Sequence, residues 1–180
     1  MIFTPTGIDG LLIIQPQVFG DSRGYFMETY NEDLFRKNGV DVYFKQDNQS
    51  MSNKGALRGL HFQAPPFEQG KLVRVINGAV WDVVVDIRIS SATYGKHFAL
   101  ELTEENKTML WIPAGFAHGF LTLSDQTIFS YKCTEVYNKS SEGGIYWNDP
   151  QLGIPWNIDD PLLSEKDKLN SSFADFKSPF

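Results

Sequence analysis

Cysteine is almost absent from this chain of 180 residues, in which Cys133 is the only one. A single thiol excludes an intrachain disulfide framework and a zinc site built on cysteines. Long apolar runs are also missing, because the longest, such as Leu11–Ile14, are far shorter than a membrane span. The first residues, MIFTPTGIDG, lack the basic and apolar regions of a secretory signal. We therefore expect a soluble cytoplasmic protein with no membrane partner.

Basic residues are outnumbered, with 16 Lys and Arg against 22 Asp and Glu and a formal net charge of -6. This balance argues against a general nucleic-acid binder, which needs a basic surface to neutralise phosphates. Glycine-rich phosphate loops of the Walker and Rossmann types are absent as well. An anionic ligand would therefore have to be bound by a local cluster of Arg and Lys.

Short runs of β-forming residues recur along the chain, which is 14% aromatic. Turn signals separate the runs, and Asn77-Gly78 is a dipeptide that favours hairpins. This spacing predicts an all-β fold, an antiparallel sandwich or barrel. The predicted strands are Leu11–Ile14, Tyr25–Tyr30, Lys71–Ile76, Ala79–Ile87, Phe98–Leu102, Thr108–Ile112, Phe116–Leu123 and Thr127–Cys133.

No repeat, low-complexity segment or linker divides the chain, so we expect one domain over residues 1–180. Two segments interrupt the β pattern and predict short helices. The first has Asn31 as its N-cap and ends before Gly39, and the second has Ser164 as its N-cap with Asp167 three residues later. The polar, serine-rich tail from about residue 168 is expected to dock loosely.

Only three histidines are present, so each can be weighed separately. His61 lies in Leu57–Gln63, where strand alternation places it on one face with Gly59 and Gln63. A polar face that includes a glycine has room for a ligand, although an exposed strand histidine is the plainer interpretation. His97 has no motif around it, and we interpret it as structural.

His118 ends the segment Pro113–His118, whose Pro-x-Gly-x-x-His pattern resembles the second half-motif of the cupin family. In that family this histidine is often a metal ligand, and the first half-motif normally supplies a His-x-His pair followed by Glu. This chain has Gln63 at the second histidine position, and a neutral amide is a poor ligand for transition metals. We therefore expect no metal, with the two histidines plus Glu68 or Glu101 as the alternative ligand set.

Tyr131 shares a strand face with Thr127, Phe129 and Cys133, so an aromatic inside the core or barrel is the plain interpretation. If a histidine lies opposite, the two would be proton-transfer groups on either side of a ligand. Four basic residues are the strongest candidates for an anion site, although most Lys and Arg side chains are solvated surface charges. They are Arg23, Arg58, Lys71 and Arg74.

Short segments form an ordered set along the chain, namely Asp21–Phe26, Gln46–Ser50, Leu57–Gln63, Gln69–Val75, Ile112–Phe120, Tyr131–Cys133 and Asn148–Pro150. Together they resemble the dTDP-4-dehydrorhamnose 3,5-epimerase family over about residues 7–168. The resemblance implies a cupin-type jelly-roll sandwich or barrel with a few short helices. It also implies a cofactor-independent isomerase that converts dTDP-4-dehydro-6-deoxy-D-glucose to dTDP-4-dehydro-L-rhamnose in dTDP-rhamnose biosynthesis.

The same resemblance implies roles for individual residues. His61 is expected to be the base with Asp167 as its dyad partner, although Asp167 also suits a purely capping role. Tyr131 is the implied acid on the opposite face of the sugar, and Lys71 the cation near O4. The implied substrate-binding residues are Arg23, Phe26, Glu28, Gln46, Asn48, Arg58, Lys71, His118, Tyr137, Glu142 and Lys166, of which Tyr137 would stack on the thymine. A homodimer is also implied, in which an N-terminal segment contributes to the neighbouring subunit's site.

Three other functions stay open at this point. The nearest is a mono-epimerase of the same family, which would act at C3 or C5 alone on a related nucleotide ketosugar. A metal-dependent cupin and a non-catalytic module that binds sugar nucleotides are more distant. The ordered motifs favour the 3,5-epimerase over the two distant alternatives, because neither of those requires the complete set.

Overall fold

Antiparallel β-sheets form the body of the protein in a computed structural model that describes residues 1–180. The elements are β1 (Ile2–Pro5), β2 (Leu12–Gln15), β3 (Val18–Asp21), β4 (Gly24–Met27), α1 (Glu32–Lys37), β5 (Gln46–Ser52), β6 (Leu57–Gln63), β7 (Lys71–Asn77), β8 (Ala79–Asp86), β9 (His97–Thr103), β10 (Met109–Ile112), β11 (Phe116–Thr122), β12 (Thr127–Cys133), β13 (Glu142–Gly144) and α2 (Glu165–Lys168). A 3₁₀ helix covers Lys139–Ser141. None of the helices has the length and apolar composition needed to cross a membrane.

Two large sheets face each other, as in a jelly roll. The six-stranded sheet has the order β1-β2-β10-β7-β12-β5, the five-stranded sheet has the order β13-β6-β11-β8-β9, and β3 pairs with β4 in a separate hairpin. Neighbours along the chain are often not neighbours in a sheet, since β10 lies between β2 and β7. The all-β prediction is therefore confirmed, and the architecture is cupin-like.

The core between the sheets follows from strand alternation. On β8, Val80 and Val84 face the six-stranded sheet and pack with Val73 of β7 and Phe129 of β12. Val83 and Val85 face the opposite side, where the C-terminal segment covers them. Because both faces of β8 are buried, its sequence is an almost continuous apolar run.

The C-terminal tail is packed rather than loosely docked. Phe173, Phe176 and Phe180 lie against the outer face of the five-stranded sheet, and the rings of Phe62 and Phe176 are 5.5 Å apart. The Ile89 N–H donates to the Phe180 carbonyl at 3.0 Å, which holds the chain end on the domain. The expectation of a loose tail did not account for the apolar sheet face that these phenylalanines cover.

Both predicted helices form with their predicted caps. The Asn31 side chain accepts a hydrogen bond from the Leu34 N–H at 3.1 Å at the start of α1. The Ser164 hydroxyl accepts one from the Asp167 N–H at 3.2 Å at the start of α2. These caps satisfy backbone donors that a helix leaves unpaired in its first turn.

Several strands escaped prediction because they are polar or exposed. All four residues of β3 are exposed, and its partner β4 ends at Met27, three residues before the end of the run predicted there. The sequence of β5 is QDNQSMS, which has no apolar periodicity. Its polar side chains alternate toward a cavity instead of the core, so the hydrophobic signal for a strand is missing.

Asp86 ends β8 with a carboxylate that is completely buried yet fully bonded. It accepts hydrogen bonds from the Arg88 guanidinium at 2.9 and 2.8 Å and from the Ser91 and Thr93 hydroxyls at 2.6 Å. Burial raises the pKa of Asp86, but the hydrogen bonds outweigh it and lower the pKa to about 2. This carboxylate therefore ties the loop after β8 to the sheet.

We expect Asp86→Asn to destabilise the protein at neutral pH. We also expect its free energy of unfolding to depend less on pH in the acid range. The folded pKa lies below the ordinary value of 3.8, so the stabilising effect is complete above about pH 4 and is lost as the pH falls toward 2. The linkage corresponds to about 2 kcal/mol of unfolding free energy. Denaturant titrations followed by tryptophan fluorescence measure this, with the exposed Asp160→Asn as control. Equal acid slopes for the wild type and Asp86→Asn would contradict the assignment.

Candidate active site

A cavity of about 450 Å³ opens between the two large sheets. Strands β5, β7 and β12 contribute from one sheet, β6 and β11 from the other, and α2 closes one side. Its polar lining residues are Ser50, Arg58, His61, Lys71, His118, Tyr131, Ser164, Lys166 and Asp167. A smaller cavity of about 160 Å³ meets it at His61, Lys71 and Tyr131 and adds Gln46, Asn48, Gln69, Tyr137 and Glu142.

Sheet register explains why these residues converge. In the six-stranded sheet Tyr131 lies beside Asn48, and Lys71 lies beside Cys133. In the five-stranded sheet His61 lies directly beside His118. Because successive side chains of a strand alternate between faces, the cavity receives polar residues at every second position.

His61 and Asp167 form a close pair at the cavity wall. The imidazole Nε2 lies 2.5 Å from Asp167 Oδ1, and the Ser164 hydroxyl donates to Asp167 Oδ2 at 2.8 Å. Burial raises the pKa of Asp167, but its bonds to His61 and Ser164 outweigh this and the pKa is lower than usual. An ionised carboxylate in this position orients the imidazole and stabilises its protonated form. Asp167 is thus both the partner of His61 and a member of the helix cap.

Tyr131 and Lys71 lie on the facing sheet. Burial raises the pKa of Tyr131, and Asn48 and Arg58 only partly oppose this, so the phenol keeps its proton at neutral pH. The Lys71 Nζ is 6.0 Å from the centre of the Tyr131 ring. Burial lowers the pKa of Lys71, and the acidic groups of Cys133, Asp82 and Glu142 oppose that shift. The cavity therefore combines a proton acceptor, a proton donor and a cation.

The rim of the smaller cavity has a connected set of polar side chains. The Tyr137 hydroxyl donates to Glu142 Oε2 at 2.9 Å, and Lys166 forms an ion pair with the other oxygen of Glu142. Lys166 immediately precedes Asp167 on α2, so this ion pair also connects α2 to β13. The predicted residues Tyr137, Glu142 and Lys166 are therefore neighbours at one edge of the site.

Gln63 lines the smaller cavity, but its amide group is occupied by hydrogen bonds within the protein. It is 5% exposed, and its amide nitrogen donates to the carbonyls of Phe67 at 2.6 Å and Val136 at 3.2 Å. Its amide oxygen accepts from the Asn138 N–H at 2.7 Å. Gln63 therefore anchors the two loops that border the smaller cavity.

The alternative metal-ligand set is not assembled. No group of three or more His, Cys, Asp or Glu side chains converges to hold a metal ion. Glu101 lies on β9 at the edge of the five-stranded sheet, and Glu68 lines a different surface pocket with Trp111. His97, interpreted as structural, contacts the Leu152 carbonyl through Nδ1 at 3.0 Å and lines neither cavity.

Some predicted binding residues lie outside the cavity of their own chain. Arg23 and Phe26 are on the β3–β4 hairpin, where the Arg23 side chain is 87% exposed and bonds only to Asp21. Glu28 follows the hairpin and accepts a hydrogen bond from Asn31 at 3.1 Å. The hairpin is not part of either large sheet, so the contact of these three residues with substrate stays a prediction.

The four predicted cations also do not form one cluster. Arg58 and Lys71 line the main cavity, whereas Arg74 lines a separate small cavity with Lys132 and Arg23 lies on the hairpin. Lys71 and Arg74 are three residues apart on β7, so strand alternation places them on opposite faces of the sheet.

Sequence reasoning missed one residue that lines the cavity and one that lies behind it. Ser50 lines the main cavity. It continues the alternation of Gln46 and Asn48 along β5, and this spacing could have identified it from the sequence. Asp82 lies behind His118, with Oδ2 at 2.9 Å from His118 Nε2. Its signal was a lone carboxylate within the apolar run of β8, where a buried acid requires a partner.

The chain is similar in sequence and in structure to known proteins. The family model described as dTDP-4-dehydrorhamnose 3,5-epimerase matches residues 5–175. The protein of that name from Methanothermobacter thermautotrophicus is 54% identical, over 92% of this chain and 91% of its own. The one from Shigella flexneri is 52% identical, over 94% of each. A crystal structure of the Legionella pneumophila 3,5-epimerase with dTDP-4-keto-L-rhamnose aligns with a TM-score of 0.94 and 44% identity, over 98% of this chain and 94% of that one.

Proposed function

Because this chain belongs to the dTDP-4-dehydrorhamnose 3,5-epimerase family, we propose that its reaction takes place in the cavity between the two sheets. The enzyme is an isomerase that converts dTDP-4-dehydro-6-deoxy-D-glucose to dTDP-4-dehydro-L-rhamnose in dTDP-L-rhamnose synthesis. The observation that carries the site assignment is the convergence of His61 with its carboxylate, Lys71 and Tyr131 on one cavity.

His61 is proposed as the base. C3 and C5 both flank the C4 ketone, so removal of either proton leaves an enolate whose charge resides largely on O4. His61 is open to the cavity with its side chain 28% exposed, while its partner Asp167 is buried. The carboxylate stabilises the imidazolium that forms when the carbon-bound proton is transferred. His61 returns to its starting state when it releases this proton.

Lys71 and Tyr131 are proposed to complete the inversion. An ammonium group at O4 stabilises the developing oxyanion in a cavity that excludes much of the solvent. Tyr131 then protonates the carbon from the face opposite His61, which inverts the centre, and regains a proton from solvent. Its elevated pKa keeps the phenol protonated until the enolate forms.

The smaller cavity is proposed to bind the nucleotide part of the substrate. Tyr137 has an exposed ring suited to stacking on thymine, and Gln46 and Asn48 offer amide groups beside it. Arg58 and Lys166 provide positive charge for the diphosphate, which Arg in particular binds with paired hydrogen bonds. Because the smaller cavity meets the main one at His61, this arrangement would place the sugar next to the base.

We propose a homodimer in which the β3–β4 hairpin brings Arg23, Phe26 and Glu28 to the neighbouring subunit's site. The support is the exposed apolar surface of the hairpin, where Phe19 is 56% exposed and Phe26 69% exposed. Such surface is typical of an interface. Sedimentation at assay concentrations would disprove the proposal if it gave the monomer mass. We also propose that residues 1–180 form one domain and that the enzyme is cytoplasmic.

The function itself is tested by NMR in D₂O with EDTA, using the purified enzyme and dTDP-4-dehydro-6-deoxy-D-glucose. Because inversion requires each proton to leave and be replaced, we expect deuterium at both C3 and C5, with the L-lyxo product trapped by a reductase. Label at a single carbon would identify a mono-epimerase. Binding without label at either carbon would indicate a non-catalytic module.

A further inference from the structure

The second histidine of the cavity has a carboxylate partner of its own. His118 lies directly beside His61 in the sheet, and its Nε2 is 2.9 Å from Oδ2 of Asp82 on β8. Asp82 is completely buried and His118 is 7% exposed, so bulk water does not compete for this contact. Asp82 itself does not line the cavity, whereas His118 does.

The contact selects one tautomer of the neutral imidazole. An ionised carboxylate only accepts hydrogen bonds, so Nε2 of His118 must carry the proton, and the neutral ring then has a lone pair on Nδ1. Nδ1 has no partner within the protein and is not among its buried unpaired atoms. Phe129 stacks on the ring at 6.1 Å between centroids, which limits its rotation. In its neutral form His118 therefore presents a hydrogen-bond acceptor to the cavity.

The second oxygen of Asp82 indicates that this residue does more than stabilise the fold. Oδ1 is buried and has no hydrogen-bond partner, a situation that costs stability. By contrast, the buried Asp86 at the end of the same strand is bonded through both oxygens. The only hydrogen bond of the Asp82 side chain is the one to His118, although its negative charge also opposes the lowering of the Lys71 pKa.

We propose that Asp82 is a positioning residue that fixes the tautomer of neutral His118, so that its Nδ1 accepts a hydrogen bond from a sugar hydroxyl of the substrate. The proposal rests on the proposed function of this cavity. The reacting sugar has a ketone at C4 and a methyl group at C6, so its only hydroxyl donors are those on C2 and C3. A fixed acceptor beside the base would orient the ring so that the C–H bonds face His61.

The test is Asp82→Asn, with Asp86→Asn as the matched control from the same strand. A hydrogen bond that is equal in the ground and transition states contributes uniform binding. At a pH where Lys71 is protonated in both proteins, we expect the KM of Asp82→Asn to rise roughly 10-fold with kcat changed by less than about twofold. Asp86→Asn should lose stability and keep its KM. The KM effect of Asp82→Asn should vanish with either the 2-deoxy or the 3-deoxy analogue of the substrate.

Nitrogen-15 NMR of the wild-type imidazoles reads the tautomer directly and does not depend on whether the variant folds. We expect the neutral ring of His118 to carry its proton on Nε2, and this tautomer preference to be lost in Asp82→Asn. A doubly protonated His118 at neutral pH, an unchanged tautomer in the variant, an unchanged KM, or a KM effect that persists with both deoxy analogues would overturn the proposal. Failure of the proposed function would instead appear as absent deuterium exchange in the wild type.

Discussion

His61→Asn is expected to fold normally and to lose turnover by roughly 10²–10⁴-fold, the range for removal of a general base. Asparagine has nearly the same polar reach but cannot accept a proton. Asp167 does not replace the base, because its pKa is lower than usual and its carboxylate is buried against α2. If one base serves both carbons, deuterium incorporation at C3 and at C5 falls together, which the NMR assay in D₂O measures.

Two further variants make this prediction specific. His97→Asn removes a histidine that contacts Leu152 and lines neither cavity, so it should keep full activity. Tyr131→Phe should still exchange substrate protons for deuterium, because abstraction and return by His61 remain, but it should form little inverted product. Substantial turnover by His61→Asn would disprove the base assignment. Loss of exchange in Tyr131→Phe would place Tyr131 in the abstraction step.

Lys71→Met is expected to lower kcat by roughly 10²–10³-fold, the effect of removing one group that stabilises a developing oxyanion. The charge on O4 is greatest in the enolate-like transition state, so the ammonium contributes more there than in the substrate complex. KM should therefore change much less than kcat. Steady-state kinetics measure both, with the exposed Lys96→Met as control. A change confined to KM would show that Lys71 only binds the substrate.

The pH dependence gives an independent check on Lys71. Burial lowers the pKa of Lys71, so the ammonium loses its proton, and kcat falls, as the pH rises through that lowered value. Burial raises the pKa of Tyr131, so the phenol deprotonates at higher pH. Lys71→Arg keeps its charge throughout, and we expect the alkaline fall in kcat to move to higher pH in that variant. An unmoved alkaline limb would contradict this assignment.

The strands that could be predicted are those whose side chains alternate against an apolar core. Lys71–Asn77 and Thr127–Cys133 agree with the predicted runs to within a residue, since alternation of buried and half-buried positions is visible in the sequence. Gln46–Ser52 was missed because its inward side chains line the cavity, which must be polar to bind a sugar. A strand whose function is to contact ligand loses the hydrophobic periodicity that would identify it.

Site residues within local motifs could be predicted, whereas those that depend on strand pairing could not. His61, Lys71 and Tyr131 were singled out from their motifs, and all three line the cavity. Asp82 was missed because its partnership with His118 depends on the pairing of β8 with β11, and no local pattern encodes that pairing. Arg23 and Phe26 lie on the β3–β4 hairpin outside both large sheets, so their role in binding substrate stays a prediction.

The all-β class, the two helix caps, the family resemblance and the kinds of side chain available for catalysis could all be predicted from the sequence. These follow from short-range patterns, because side-chain alternation and helix capping act over a few residues. Three features are visible only in the folded chain: Asp167 contacts His61 across 106 positions of the sequence, Lys71 lies beside Tyr131, and the tail is packed. Such contacts depend on strand order and sheet packing, in which residues distant along the chain are brought together by burial of a common core.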